Sequence, residues 1–81
     1  MTESAEDLAG TLDAVAQALL TLTAQLEARG IIDGPGLCAA WRARRAPADA
    51  SGAHAAALLR TMGQLANGLD QARATRQSRG R

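Results

Sequence analysis

Large apolar residues fall at Leu8, Leu12, Val15, Leu19, Leu22 and Leu26, in steps of four and three. This is the a/d seam of a helix that packs lengthwise against other helices. A strand would alternate with a period of two, and no such alternation runs through this stretch. The flanking e and g positions, Ala9, Thr11, Ala16, Ala18, Thr23 and Gln25, are small or neutral, whereas a two-stranded coiled coil usually carries charges there. Small flanks widen the apolar face and let several helices approach. Leu20 lies off the seam, so contact on more than one side is expected.

The ends of this helix are marked. Ser4 and Asp7 fit the capping pattern [ST]-x-x-[DE], and Glu6 and Asp7 suit the positive end of the dipole. Gly30 after Arg29 is placed to end the helix in the left-handed conformation, with Ile31 and Leu26 as the hydrophobic pair of a Schellman motif.

A second seam runs through Ala55, Leu58, Met62, Leu65, Leu69 and Ala72, widened by Leu59 and Ala66. It predicts a helix over residues 52–74, with Ser51 as N-cap and Asp49 as the alternative. Gly63 and Gly68 inside it each cost about 1 kcal/mol relative to Ala, which either serves close helix contact or is simply tolerated. Between the two seams, Asp33 is placed to cap a short helix, with Pro35 in its first turn. Leu37 and Trp41 are i,i+4 neighbours on one face with Ala40. Arg42, Arg44 and Arg45 close that helix at its negative end. Residues 46–51 read as a loop, although Pro47 also suits the first turn of a helix.

The pattern predicts an all-α fold: an antiparallel helical hairpin of two long helices joined by a short helix. Two copies would pair as a four-helix bundle; the alternative is a compact monomeric three-helix bundle. Residues 1–74 make the single helical domain. Residues 75–81 hold no apolar side chain and are expected to form a basic, disordered tail.

Composition sharpens this picture in three places. The chain has 81 residues, one Trp and neither Phe nor Tyr, so alanine supplies much of its apolar stock and each alanine buries little area. A chain this short with no disulfide or metal often gains stability by oligomerising. A dimer is therefore the favoured partner arrangement, with a larger protein partner as the other. Charge divides unevenly: residues 1–33 carry −5 and residues 34–81 carry +6, for a net +1. All nine basic residues are arginine, which reads as coding bias together with the Ala and Gly enrichment, or as selection for guanidinium geometry. Glu3, Glu6, Asp7 and Asp13 would meet the tail arginines Arg73, Arg76, Arg79 and Arg81 if the long helices are antiparallel. The single cysteine, the acidic start of the chain and the lack of a long apolar run fit a cytoplasmic protein with no membrane span.

The residues that carry chemistry are few. One His and one Cys, 16 positions apart, fall short of the three or four ligands a metal site needs. Cys38 and His54 have no spacing that links nucleophile to base, and Gly34-Pro35-Gly36 lacks both the pattern and the strand of a phosphate loop. No cofactor and no enzymatic activity are expected. Trp41, Arg42, Arg44 and Arg45 are the strongest local feature, since an aromatic among arginines can stack bases and neutralise phosphates.

Three functions follow in order. The first is a small non-enzymatic interaction or assembly protein. It would act through the seam residues Leu8, Leu12, Val15, Leu19, Leu22, Leu26, Leu58, Met62, Leu65 and Leu69. The second is a nucleic-acid-associated protein using residues 41–45 and the arginine tail, a reading not favoured. The third is a small enzyme or redox protein using Cys38.

Overall fold

The computed structural model describes residues 4–80 and consists of three helices: α1 (Ala5–Ala28), α2 (Gly34–Arg42) and α3 (Gly52–Arg79). The protein is all-α. Each helix starts on an expected cap. The Ser4 hydroxyl accepts from the Asp7 amide at 3.0 Å, the Asp33 carboxylate from Gly36 at 3.0 Å, and the Ser51 hydroxyl from His54 at 3.1 Å. Helix α1 ends as its sequence implied. Gly30 sits at φ 72°, its amide donates to Glu27 O, and the Ile31 amide donates to Leu26 O at 3.0 Å. Those two bonds complete the Schellman motif, although Ile31 itself stays exposed.

The long helices are not an antiparallel hairpin. Leu12 lies beside His54 and Leu58, Asp13 beside Thr61 and Gln64, Leu20 against Gly68, and Glu27 on Arg73 and Arg76. Numbers rise together on both helices, so α1 and α3 run in the same direction. The reason lies in the connection. Helix α2 lies against α3, and the loop that follows returns the chain to the level at which α1 began. Nine residues, 43–51, can span up to about 30 Å, enough for that return. The loop turns at Pro47, where the Ala50 amide donates to the Pro47 carbonyl.

Two boundaries also differ. Helix α2 stops at Arg42, leaving Arg44 and Arg45 in the loop. Helix α3 continues to Arg79, five residues past the last apolar position, because Arg76 is tied back to Glu27. Glu3 and Arg81 lie outside the described residues.

The core sits where all three helices meet. Cys38, Ala66 and Leu69 are fully enclosed, and Leu20, Ala24, Leu37 and Trp41 pack around them. Helix α1 meets this core through Leu20 and Ala24, and the buried face on which they lie also holds Ala16, Thr23 and Glu27. Ala16, Leu20, Thr23 and Glu27 each come one residue after a seam position. One residue is about 100° of helix, so the face that packs is the small-residue flank, and the leucine seam is turned aside. Thr23 is buried on this flank, and its hydroxyl donates to the Leu19 and Leu20 carbonyls, so it needs no outside partner. A β-carbon on Gly68 would press on the Leu20 methyls, so the close-contact reading holds for Gly68. Gly63 faces open space and is tolerated.

Candidate functional site

Five seam residues of α1 are exposed to solvent, four of them by half or more: Leu8 at 50%, Leu12 at 60%, Val15 at 61% and Leu22 at 57% of their full exposure, with Leu19 at 37%. Only Leu26, the last of the six, is half-buried. On α3, Leu65 and Leu69 are buried and belong to the core, while Leu58 and Met62 are half-buried. Between the first halves of α1 and α3 lies an open apolar groove of about 400 Å³. Leu12, Val15 and Leu19 form one wall, and Leu58 and Met62 form the other. The seam therefore divides. Its α3 end builds the fold, and its α1 part is an uncovered surface.

The molecule is correspondingly open. Its radius of gyration is 14.9 Å, against about 12 Å for a compact domain of this length. It measures 48 × 31 × 19 Å. The exposure of Leu8, Leu12, Val15, Leu19 and Leu22 shows that no described element covers that face of α1. The accessible surface is 6060 Å², where a compact monomer of this size would expose about 4,600 Å².

What holds α1 in this pose is a charged chain that sequence reading missed. Arg73 donates from Nε to both oxygens of Glu27 at 3.1 Å and from Nη2 to Oε2 at 2.8 Å, and Arg76 adds a bond to Oε1 at 3.1 Å. The other arm of Arg73 reaches Asp70 at 2.7 Å, and Asp70 receives Arg42 from α2, also at 2.7 Å. Arg42 also donates to the Asn67 side-chain oxygen. One run, Arg76–Glu27–Arg73–Asp70–Arg42, thus links the three helices. The Glu27 side chain keeps only 7% of its exposure, and the hydrogen bonds from Arg73 hold its carboxyl below the ordinary value. Asp70 is pulled down to about 2 by Arg42 first and Arg73 second. Arg73 is raised by its bonds to Glu27. Among the described residues, no buried side-chain polar atom lacks a partner.

This network corrects the expected pairing of the acidic start of α1 with the arginines of α3. With α1 and α3 parallel, Glu6, Asp7 and Asp13 lie at the opposite end from Arg73, Arg76 and Arg79. A signal existed in the sequence. The packed face of α1 ends in Glu27 and that of α3 ends in Arg73, each four residues after a buried position, Thr23 and Leu69. Opposite charges at the same end of two faces imply helices running the same way.

The other candidate residues are placed as follows. Trp41 packs its ring on the core cluster and Arg42 is engaged by Asp70. Arg44 and Arg45 are exposed. The four residues of the aromatic–arginine segment therefore do not form one surface. Cys38 is enclosed, its thiol donates to the Ala66 carbonyl at 3.5 Å, and burial pushes that thiol up, away from the reactive thiolate. His54 is exposed at the first turn of α3. Twelve residues of α3 separate it from Ala66, a rise of about 18 Å, so Cys38 and His54 do not act on one atom. Among the described residues no three metal-ligating side chains gather, and no helix is long and apolar enough to cross a membrane.

No protein-family model matches this chain, and neither a curated protein nor a solved structure matches it.

Proposed function

We propose that this is a small non-enzymatic interaction protein whose working part is the outer face of α1. The observation that carries the reading is the exposure of Leu8, Leu12, Val15, Leu19 and Leu22 in an unbroken row. Single exposed leucines are ordinary, but a contiguous apolar strip beside an apolar groove is what docking surfaces present. The fold leans less on these side chains than on the inner face, since α1 is held by Leu20, Ala24 and the Glu27–Arg73 pair. A seam that is periodic, large and unused by the core supports association as its purpose.

The test is a double variant, Leu12→Glu with Val15→Glu. It should keep the helical content and melting behaviour of the monomer, because both positions are exposed. In extracts of the native cell, the full chain should elute above monomer size and the variant at monomer size. Elution of both at monomer size would overturn the proposal.

A further inference from the structure

Resting on that reading, we infer that the occupant of the α1 face is a second copy of this chain, with its α1 running antiparallel to the first. Three observations select this occupant and direction.

The first is area. The chain exposes about 1,500 Å² more than a compact monomer of its size, and a standard stable interface takes about 800 Å² from each partner. The excess is as large as a full interface needs, and the exposed row Leu8, Leu12, Val15, Leu19 and Leu22 is a face that can be self-complementary, as a two-fold pair requires.

The second is charge. Glu6, Asp7 and Asp13 stand toward the start of α1, and Arg29 and Arg79 stand toward the far end, beside Arg73 and Arg76, whose charge Glu27 and Asp70 partly balance, because α1 and α3 are parallel. A parallel pair of copies would bring all six carboxylates together at one end and the arginines together at the other. An antiparallel pair sets the acidic end of each copy beside the basic end of its mate. The complement expected within one chain is thereby supplied between two. Helix dipoles point the same way: α1 and α3 align theirs within a copy, and reversal of the second copy opposes them.

The third is register. Pairing the six seam positions head to tail opposes Leu8 with Leu26, Leu12 with Leu22, and Val15 with Leu19 of the second copy, with every apolar residue used. The two-fold then crosses α1 at the level of Gln17, where the exposed Ala18 on the outer flank of the seam lets the backbones approach. The same register sets Glu6 of one copy beside Arg29 of the other. The second α1 would lie along the open side of the groove, against Leu58 and Met62. The assembly is a four-helix bundle of two α1 and two α3 helices.

Disulfide trapping of the full-length protein decides both occupant and direction. Cys38 is enclosed and stays silent if free thiols are blocked before denaturation. Leu12→Cys and Leu22→Cys are exposed substitutions outside the core. An equimolar mixture, with one variant carrying a mass tag, should form the mixed disulfide several-fold more readily than either variant forms its own. In an antiparallel pair two copies of residue 12 are separated by about ten residues of rise, or 15 Å, beyond a disulfide's reach. Efficient self-linkage of each variant alone would overturn the antiparallel arrangement. Absence of any linkage, with a monomer mass by light scattering at high micromolar concentration, would overturn the second copy as occupant. The extract experiment above separates the two failures: a larger species still lost in the Leu12→Glu, Val15→Glu variant would leave the docking face standing with a different protein on it.

Discussion

Within the ion-pair run of the described residues Glu27 is the most enclosed charged side chain, and Gly34 is the residue that makes room for it. A β-carbon built on Gly34 would coincide with the Glu27 carboxylate. The two positions should therefore be coupled in a way that simple propensity does not predict. Breaking a fully buried ion pair by removing one partner costs about 3–5 kcal/mol. Here Arg73 is partly open and keeps Asp70, and Arg76 can return to water. Glu27→Ala should therefore cost about 2–3 kcal/mol, below the buried-pair range. For 81 residues the whole folding free energy is roughly 4–12 kcal/mol, so the loss should be plain in urea denaturation followed by helical circular dichroism and Trp41 fluorescence. Gly34→Ala alone should also destabilise, because the new methyl evicts the carboxylate from Arg73. In the Glu27→Ala background that methyl enters vacated space and replaces glycine by the better helix former, so Gly34→Ala should turn neutral or stabilising, by up to about 1 kcal/mol. The sign reversal is the diagnostic result. Equal destabilisation by Gly34→Ala in both backgrounds, or a Glu27→Ala cost within about 0.5 kcal/mol, the range of an ordinary surface change, would refute the reasoning.

Other outcomes follow from the same geometry. Leu69→Ala, at a fully enclosed site, should cost about 2–5 kcal/mol, whereas Leu22→Ala should leave the dilute monomer nearly unchanged; equal costs in equilibrium denaturation would put the α1 seam back in the core. Stability should fall as the solution is acidified from the ordinary carboxylate values of 4.5 and 3.8 toward about 2. Glu27 and Asp70 bind protons less readily folded than unfolded, so stability rises with pH across that window and falls with acid; a flat melting temperature between pH 5 and 2 would contradict it. Binding to random duplex or single-stranded DNA should be weak at physiological salt and little changed by Arg44→Ala with Arg45→Ala. Tight binding with a steep salt dependence, lost in that pair of substitutions, would raise the nucleic-acid reading above the interaction reading.

The chain's helix starts and the end of α1 are readable from local sequence, the ends of α2 and α3 less so, and the long-range arrangement least of all. Ser4, Asp33 and Ser51 cap the three helices, and Gly30 ends the first, because caps are settled by residues within one turn. The direction of α3 relative to α1 is not settled that way. It depends on where α2 docks and how far a nine-residue loop carries the chain, and two leucine seams fit either sense. The seam itself misleads because a/d spacing reports that a face wants burial, without saying by whom. Large residues suggested a core, yet α1 packs inward through Ala16, Leu20, Thr23 and Ala24, where small side chains allow closer approach. The small flanks had signalled close helix approach, and one of those flanks, with Ala16 and Thr23, is the side that α1 buries. Glu27 escaped notice because a lone carboxylate near a helix end ordinarily faces water, and only its alignment with Arg73 across the helices makes it structural.

The displacement of the packed face by one residue has a functional consequence. Because Leu20 and Glu27 hold α1, while Leu12, Val15, Leu19 and Leu22 stand about 100° around the helix, folding and the proposed association would draw on different side chains of one element. Substitutions on the inner face should change monomer stability at every concentration. Substitutions on the outer face should act only through mass action, as a dependence of the melting temperature on protein concentration. The charge run at Glu27 links the two layers: it fixes the rotation of α1, and that rotation keeps the seam outward. A change that breaks the run while leaving α1 helical would let the helix roll by one residue's angle. Leu12, Val15 and Leu19, which already border the groove opposite Leu58 and Met62, would then turn further into it, and the apolar face offered to a partner would shrink. The proposed association and the Glu27–Arg73 pair are therefore expected to fail together, even though no charged atom of that pair lies on the outer face.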